Sequence, residues 1–400
     1  MSYREVFTIP GTKAFASAGF LARMPQSMAA IGIVTMLARL GGGFGLAGAV
    51  AATFTLSTAL AAPQISRLTD RYGQSRVLPP ATALSVLSLA ALLLCAHLGA
   101  PTWTLFVFAL PAGFMPNMGA MTRARWSELY RNSPRLHTAF SLESVLDEMT
   151  YIIGPALSVG LSTAVFPEAG PLAAALFLAV GVTLFVMQRR TEPPVVPRTG
   201  AVTGSILRVG ALRLLAVALA ALATSVGALE VVIVAFAGER GQSGATGAVL
   251  AAYAVGSCLA GLVFGTLKIS APPERVFVVT MGGMAVATLP LLLVDGMWSL
   301  AAVAFLSAAL WAPTMITVMA MVARIVPEER LTEGLTWVLT GMTVGLAAGS
   351  SVGGWVVDAA GSTTGFWVSI TAAFLALGIA VLGRRALRAT LERGVLCLTG

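Results

Sequence analysis

Apolar runs of eighteen or more residues, separated by short polar stretches, recur along almost the whole chain. A helix needs a run of about that length to cross a bilayer. The pattern predicts spans at 14–38, 44–66, 76–98, 102–124, 138–163, 171–188, 211–237, 244–267, 275–294, 298–323, 333–357 and 364–386. Twelve spans of ~20 residues use about 240 residues, which leaves loops of ordinary length. The longest polar interruption, "QRRTEPPVVPRTGAVTGSILRVG", is rich in proline and arginine and suits a connector between two units. The expected fold is an all-α membrane protein with twelve transmembrane helices in two pseudo-symmetric six-helix bundles. Residues 1–188 form the first bundle, 189–209 a cytoplasmic linker and 210–400 the second bundle.

An internal repeat supports the division. "GAVAATFTLSTALAAPQISRL" (48–68) aligns without gaps on "GAVLAAYAVGSCLAGLVFGTL" (247–267), second span on eighth. Two parallel six-helix repeats require that placement.

Composition agrees, with 57% hydrophobic residues and only 10% charged, against roughly 25% charged in soluble domains. The net charge of +8 invites a nucleic-acid partner, but its distribution points elsewhere. With the N-terminus inside, Arg67, Arg71, Arg76, Arg123, Arg125, Arg189, Arg198, Lys268 and Arg330 fall in cytoplasmic loops, and only Arg39 and Arg240 fall outside. That asymmetry is the positive-inside rule and puts both termini in the cytoplasm. Cys95, Cys258 and Cys397 are scattered, and His97 and His137 are the only histidines. No disulfide framework or metal site is expected. The first span lacks a small-residue cleavage site after a short apolar core and is read as retained.

"SRLTDRYGQSRVL", after the second span, resembles the cytoplasmic loop motif of the major facilitator superfamily, with Asp70, Arg71, Gly73 and Arg76 at matching positions. Ser66 stands where the family usually has glycine, and the second half keeps Gly265 but has Ile269 in place of the aspartate. "GPALSVG" is similar to the family's antiporter motif through Gly154 and Pro155, without its flanking glycines. "RARWSEL", "SLESVLDE" and "GALEV" resemble bacterial facilitator-type permeases and efflux proteins. The resemblance implies a multi-pass protein of the bacterial inner membrane that moves a small molecule by alternating access. It also implies a gating latch in which Asp70 pairs with arginines and with the start of helix eleven near Thr332–Gly334. The alternative for that loop is a solvated topogenic segment.

Two enzyme-like patterns mislead. "GFGLAG" (43–48) has the spacing of a dinucleotide fingerprint but follows a spanning helix, where a tight turn is expected. "GSSVG" (349–353) mimics a nucleophile elbow inside a helical span. Its glycines continue the series Gly341, Gly345, Gly349, whose spacing lets two helices approach closely.

The informative charges lie inside spans. In "SLESVLDEMTYIIGPALSVG", Glu143, Asp147, Thr150, Gly154 and Ser158 share one helical arc, with Glu148 beside it. Asp147 and Glu148 lie ~15 Å deep, near the midplane, and Glu143 lies nearer the cytoplasm. A carboxylate there costs about 2.5–3.5 kcal/mol on insertion scales, so each must be paired, protonated or hydrated. Arg23 is read as the one basic residue deep in a span, at similar depth. One reading is a structural ion pair between Arg23 and Asp147 or Glu148. The other holds that one arginine cannot neutralise two deep carboxylates, so Asp147 or Glu148 carries a coupling proton while Arg23 tunes it or meets an anionic part of the substrate.

Glu230 in the seventh span, Asn117 in the fourth, Trp311 in the tenth and Trp337 in the eleventh are candidate substrate contacts. An outer gate or exposed helix end is the other reading for Glu230, a hydrated kink for Asn117 and core packing for the tryptophans. The expected function is a proton-coupled exporter of a small organic molecule. A symporter or facilitator importing a nutrient is the first alternative, and a non-transporting receptor the second. Protons, a small-molecule substrate and the lipid bilayer are the expected partners, with no nucleic acid, no cofactor and no enzymatic activity. The chain is expected to act as a monomer.

Overall fold

The computed structural model describes residues 3–41, 43–131, 133–195, 206–242, 245–267, 269 and 271–396. The described residues are helical, with no strand. In chain order the helices are α1 (Thr12–Arg39), α2 (Gly43–Tyr72), α3 (Gln74–His97), α4 (Thr102–Ala112), α5 (Met118–Leu129), α6 (Arg135–Ala164) and α7 (Ala169–Met187). They continue as α8 (Gly210–Glu239), α9 (Thr246–Thr266), α10 (Pro273–Thr288), α11 (Met297–Ala308), α12 (Trp311–Ile325), α13 (Leu331–Ala360) and α14 (Ser362–Leu396). Of the expected connector, 196–205 lies outside the described residues, as do Lys268 and Cys397.

Among the described residues, ten helical segments are long and apolar enough to cross a membrane. Of the expected twelve spans, the tenth is one such segment built from two helices, α11 and α12, and the fourth and fifth fall outside the ten, each for a physical reason. The fourth is broken. Pro116 has no N–H and disfavours helical geometry at Met115, so α4 stops at Ala112 and the chain restarts at α5. Hydroxyls of neighbouring helices cover the carbonyls left at the break, Ser57 Oγ donating to Leu110 O and Ser85 Oγ to Ala112 O, both at 2.5 Å. The fifth span is α6, whose 30 residues are ample in length, but its carboxylates and hydroxyls lower its hydropathy. The tight turn expected at 43–48 is also displaced. Those residues already belong to α2, and the turn comes earlier, at Gly41 with φ 82°.

The chain divides into two compact units, one of Arg4–Arg131 with Leu146–Arg198, the other of Met1–Tyr3, Asn132–Val145 and Thr199–Gly400. In the first, α1 packs on α7 and α2, and α3 on α7 and α4. In the second, α8 lies against both α13 and α14, and α9 against α11. The contact of α8 with α13 is made by the glycine series. A Cβ on Gly341, Gly345 or Gly349 would run into the carbonyl oxygens of Ala216, Ala220 and Thr224, themselves four residues apart on α8. The first turns of α6 belong to the second unit, where Thr138 Oγ1 donates to Gly265 O (3.0 Å) and Ser141 Oγ to Gly261 O (2.5 Å). Leucines and aromatics that no helix covers, such as Leu60, Leu87, Trp298 and Leu382, give the surface the apolar character a bilayer requires.

Candidate functional site: a carboxylate between two buried arginines

The first unit contains an ionic cluster built from α1, α5 and α6. Asp147 Oδ1 accepts from Arg23 Nη1 at 2.7 Å, and Asp147 Oδ2 from Arg123 Nη2 at 2.5 Å. Arg23 is 2% exposed, Arg123 is fully buried, and Asp147 keeps 26% of its side chain accessible. The second guanidinium nitrogen of Arg23 donates to Thr122 Oγ1 (2.8 Å), and Arg123 Nη1 to Gly119 O (3.2 Å). Both carboxylate oxygens are thus committed to charged donors, the strong class of hydrogen bond. The three side chains carry one net positive charge, and Arg123 Nε, also buried, has no acceptor among the described residues.

Arg123 overturns one sequence expectation. The sequence reading counts it and Arg125 among the cytoplasmic-loop charges at the end of the fourth span (102–124), yet both lie on α5 and are fully buried. The helix restarts after the break where Asn117 caps it, its Oδ1 accepting from Ala120 N at 3.0 Å, and it runs on to Leu129. Arg23 is therefore not the single deep basic residue, and the expected count of one arginine against two deep carboxylates does not hold, because Asp147 alone is bonded to two. Two residues on, a helical side chain points roughly 200° away, so Arg125 leaves the cluster and turns toward α3 and α7. Its Nε donates to Gln74 Oε1 (2.8 Å), its Nη1 to Gln188 O and Thr191 Oγ1 (both 2.9 Å), and its guanidinium lies 3.8 Å over the Phe185 ring. Sequence reasoning passed over Arg123 because hydropathy fades at "TRARW". The cap signal at Asn117 and the four-residue step back to Gly119 were the available clues.

The other candidates fall in several places. Glu148, next to Asp147, is half-buried. Glu143 is fully buried but belongs to the second unit. Gly154 and Pro155 lie in α6, where Gly154 leaves room for the Ser27 hydroxyl of α1. Ser27 Oγ donates to Thr150 O and Ser158 Oγ to Met28 O, each at 2.9 Å, tying α1 and α6 in both directions. In the second unit, Glu230 is exposed on α8, Trp311 is buried at the start of α12, and Trp337 on α13 has a buried indole N–H with no acceptor. Glu333 and Arg330, also in that unit, are buried, although the sequence reading places Arg330 in a cytoplasmic loop and gives Glu333 no role of its own.

The loop motif forms the corner between α2 and α3. Asp70 is half-buried in the last turn of α2, while Arg71 and Arg76 are exposed. Gly73 has φ 90°, a conformation that side chains resist, and a Cβ there would press on Glu192 Oε1 and Val195. Glu192 Oε1 accepts from Ser75 N at 2.7 Å, bonding the stretch after α7 to the first turn of α3.

Two lengths of the chain, residues 15–243 and 214–394, match the sequence profile of the Major Facilitator Superfamily. The chain belongs to the major facilitator superfamily. It is a multi-pass membrane protein of a transporter family. The MFS-type transporter YdeG of Bacillus subtilis is 30% identical over 203 residues, a stretch that is 49% of this chain and 45% of that one. Among solved structures, a bacterial homologue of the iron transporter ferroportin in an outward-facing state shares the fold with a TM-score of 0.75 at 17% identity, covering 93% of this chain and 99% of that one. The Escherichia coli fucose:proton symporter FucP does so at 0.70 and 15% identity, covering 96% and 99%. The human organic anion transporter MFSD10 has the same TM-score of 0.70 at 14% identity, covering 93% and 100%. At such identities these likenesses establish the fold.

Proposed function

We propose that this transporter is proton-coupled and exports a small organic molecule by alternating access, with Arg23, Asp147 and Arg123 as its coupling centre. The observation that supports this most is Asp147, which is bonded to two buried guanidinium groups and yet remains partly accessible. A proton taken up there would cancel the one negative charge and leave two buried positive charges facing each other. Their repulsion and lost hydrogen bonds favour a different arrangement of α1, α5 and α6, which is the link between protonation and conformation that coupling needs. Intramembrane carboxylates with access to water mark ion and substrate pathways, and proton relays are one of their recurring uses. Glu148 is the second candidate carrier and Glu143 the third. When Asp147 releases Arg23, that arginine is available to an anionic part of the substrate. Glu230, Asn117, Trp311 and Trp337 remain candidate substrate contacts, and Asp70 with Arg71, Gly73 and Arg76 the candidate gating corner.

The setting is the inner membrane of a bacterium, with twelve spans, both termini in the cytoplasm, a monomeric chain and the proton gradient in place of a cofactor. Symport is the second reading, because the same carboxylate serves either direction. A thermal-shift screen on purified protein supplies a ligand. In proteoliposomes that ligand then drives protons the opposite way under antiport and the same way under symport. If neither Asp147→Asn nor Glu148→Gln alters transport under an imposed pH gradient, the coupling assignment is wrong.

A further inference from the structure

Two concavities in the first unit meet at Tyr72 and Arg76. One is a polar pocket of about 420 Å³ at the corner between α2 and α3, bordered by Arg71, Arg76, Arg189 and Glu192. The other is an apolar groove of about 650 Å³ running up α2 against α3 and α4, walled by Leu56, Leu60, Leu68 and Leu110. All four leucines are at least 45% exposed, so the groove opens on the surface of the helices rather than into their packing. From Leu60 to Tyr72 it follows α2 for roughly 18 Å, close to the depth of one leaflet.

The charges at its polar end are not balanced. Arg71, Arg76 and Arg189 are exposed, and the single carboxylate lining the pocket, Glu192, is engaged by the backbone N–H of Ser75. Arg71 lies 5.0 Å over the ring of Tyr72, which places an amphipathic aromatic at the border between groove and pocket. The ten residues after Val195 contain no aspartate or glutamate, so that stretch of chain supplies no counter-charge of its own.

We propose that this composite surface binds an anionic glycerophospholipid, its phosphate held by Arg71, Arg76 and Arg189 and one acyl chain lying in the α2–α3–α4 groove. An apolar trough ending in an unbalanced cluster of arginines at membrane-surface depth matches an anionic lipid in both halves of its chemistry. A zwitterionic lipid brings the same phosphate together with a cationic headgroup that the arginines repel, and a soluble phosphate meets only the pocket. Bound lipid bridges the corner of the loop motif to the stretch that follows α7, and so stabilises the first unit.

The test titrates the purified full-length protein in detergent with phosphatidylglycerol, with phosphatidylcholine of the same acyl chains, and with glycerol 3-phosphate, reading the melting temperature. Phosphatidylglycerol is expected to stabilise at lower concentration and to a larger extent than phosphatidylcholine, and glycerol 3-phosphate to have little effect. In Arg76→Gln/Arg189→Gln the preference for phosphatidylglycerol falls by about fivefold or more, while Arg384→Gln/Arg385→Gln, at exposed arginines in the second unit, retains it. Should the first pair fail to fold, the wild-type preference must still shrink in raised salt. Equal responses to the two lipids overturn the proposal, as does a preference that survives loss of Arg76 and Arg189. A response to glycerol 3-phosphate matching that to phosphatidylglycerol also overturns it, marking a soluble-anion site.

Discussion

At the scale of single residues, the pivotal fact is that one aspartate serves two buried arginines. Asp147→Asn removes the carboxylate that both arginines share, and breaking a buried pair from one side costs about 3–5 kcal/mol. Thermal unfolding of the purified variant is expected to show a loss of that order. Arg123→Met is expected to cost less, because Asp147 keeps Arg23 and the aliphatic chain fills the vacated volume. A double variant, Asp147→Asn with Arg123→Met, should lose less than the two single losses added together. Half of this cluster was legible in the sequence, where charges within apolar runs stand out and the depths of Arg23 and Asp147 agree. Arg123 was not, since a hydropathy reading assigns an arginine beyond the last apolar stretch to a loop. Only the three-dimensional course of α5 shows that the helix continues and that the residue turns inward.

Among elements, the packing of α13 on α8 depends on the absence of side chains at a four-residue spacing. Gly345→Val forces a branched side chain into the backbone of Ala220, and overpacking of this kind costs about 1–3 kcal/mol or more. Gly354→Ala, whose Cβ would meet only Val231 at 3.8 Å, is expected to be neutral or to stabilise by up to about 1 kcal/mol through helix propensity. Melting temperatures of the two variants decide between glycine as contact and glycine as mere composition. Asn117→Ala removes the cap of α5 and should cost about 1 kcal/mol, read in the same way. The glycine spacing was readable without a structure because the period is regular. The break between α4 and α5 was not, because two prolines flanking an apolar stretch are equally compatible with a kinked continuous helix. What decides it is the pair of serine hydroxyls on neighbouring helices that cover the freed carbonyls.

For the whole molecule, composition, the repeat of the second span in the eighth and the "TDRYG" loop pointed to a major facilitator transporter, and the sequence profile and fold agree. The compact units do not follow the chain's midpoint alone, since the first turns of α6 group with the second unit. A boundary inside a continuous helix leaves no mark in hydropathy, so the sequence division at a polar linker had no means of revealing it. Substrate and direction depend on side chains that any apolar cavity tolerates, which is why the residues alone leave them open. The central claim, that Asp147 links protonation to conformation, is tested most directly in proteoliposomes loaded with a ligand from the thermal-shift screen. Net accumulation under an imposed pH gradient is compared with gradient-free counterflow in wild type, Asp147→Asn and Glu148→Gln. The account predicts that Asp147→Asn loses gradient-driven accumulation by tenfold or more while it retains counterflow. Wild-type gradient-driven accumulation in Asp147→Asn would contradict it, and a loss in Glu148→Gln alone would move the role to Glu148.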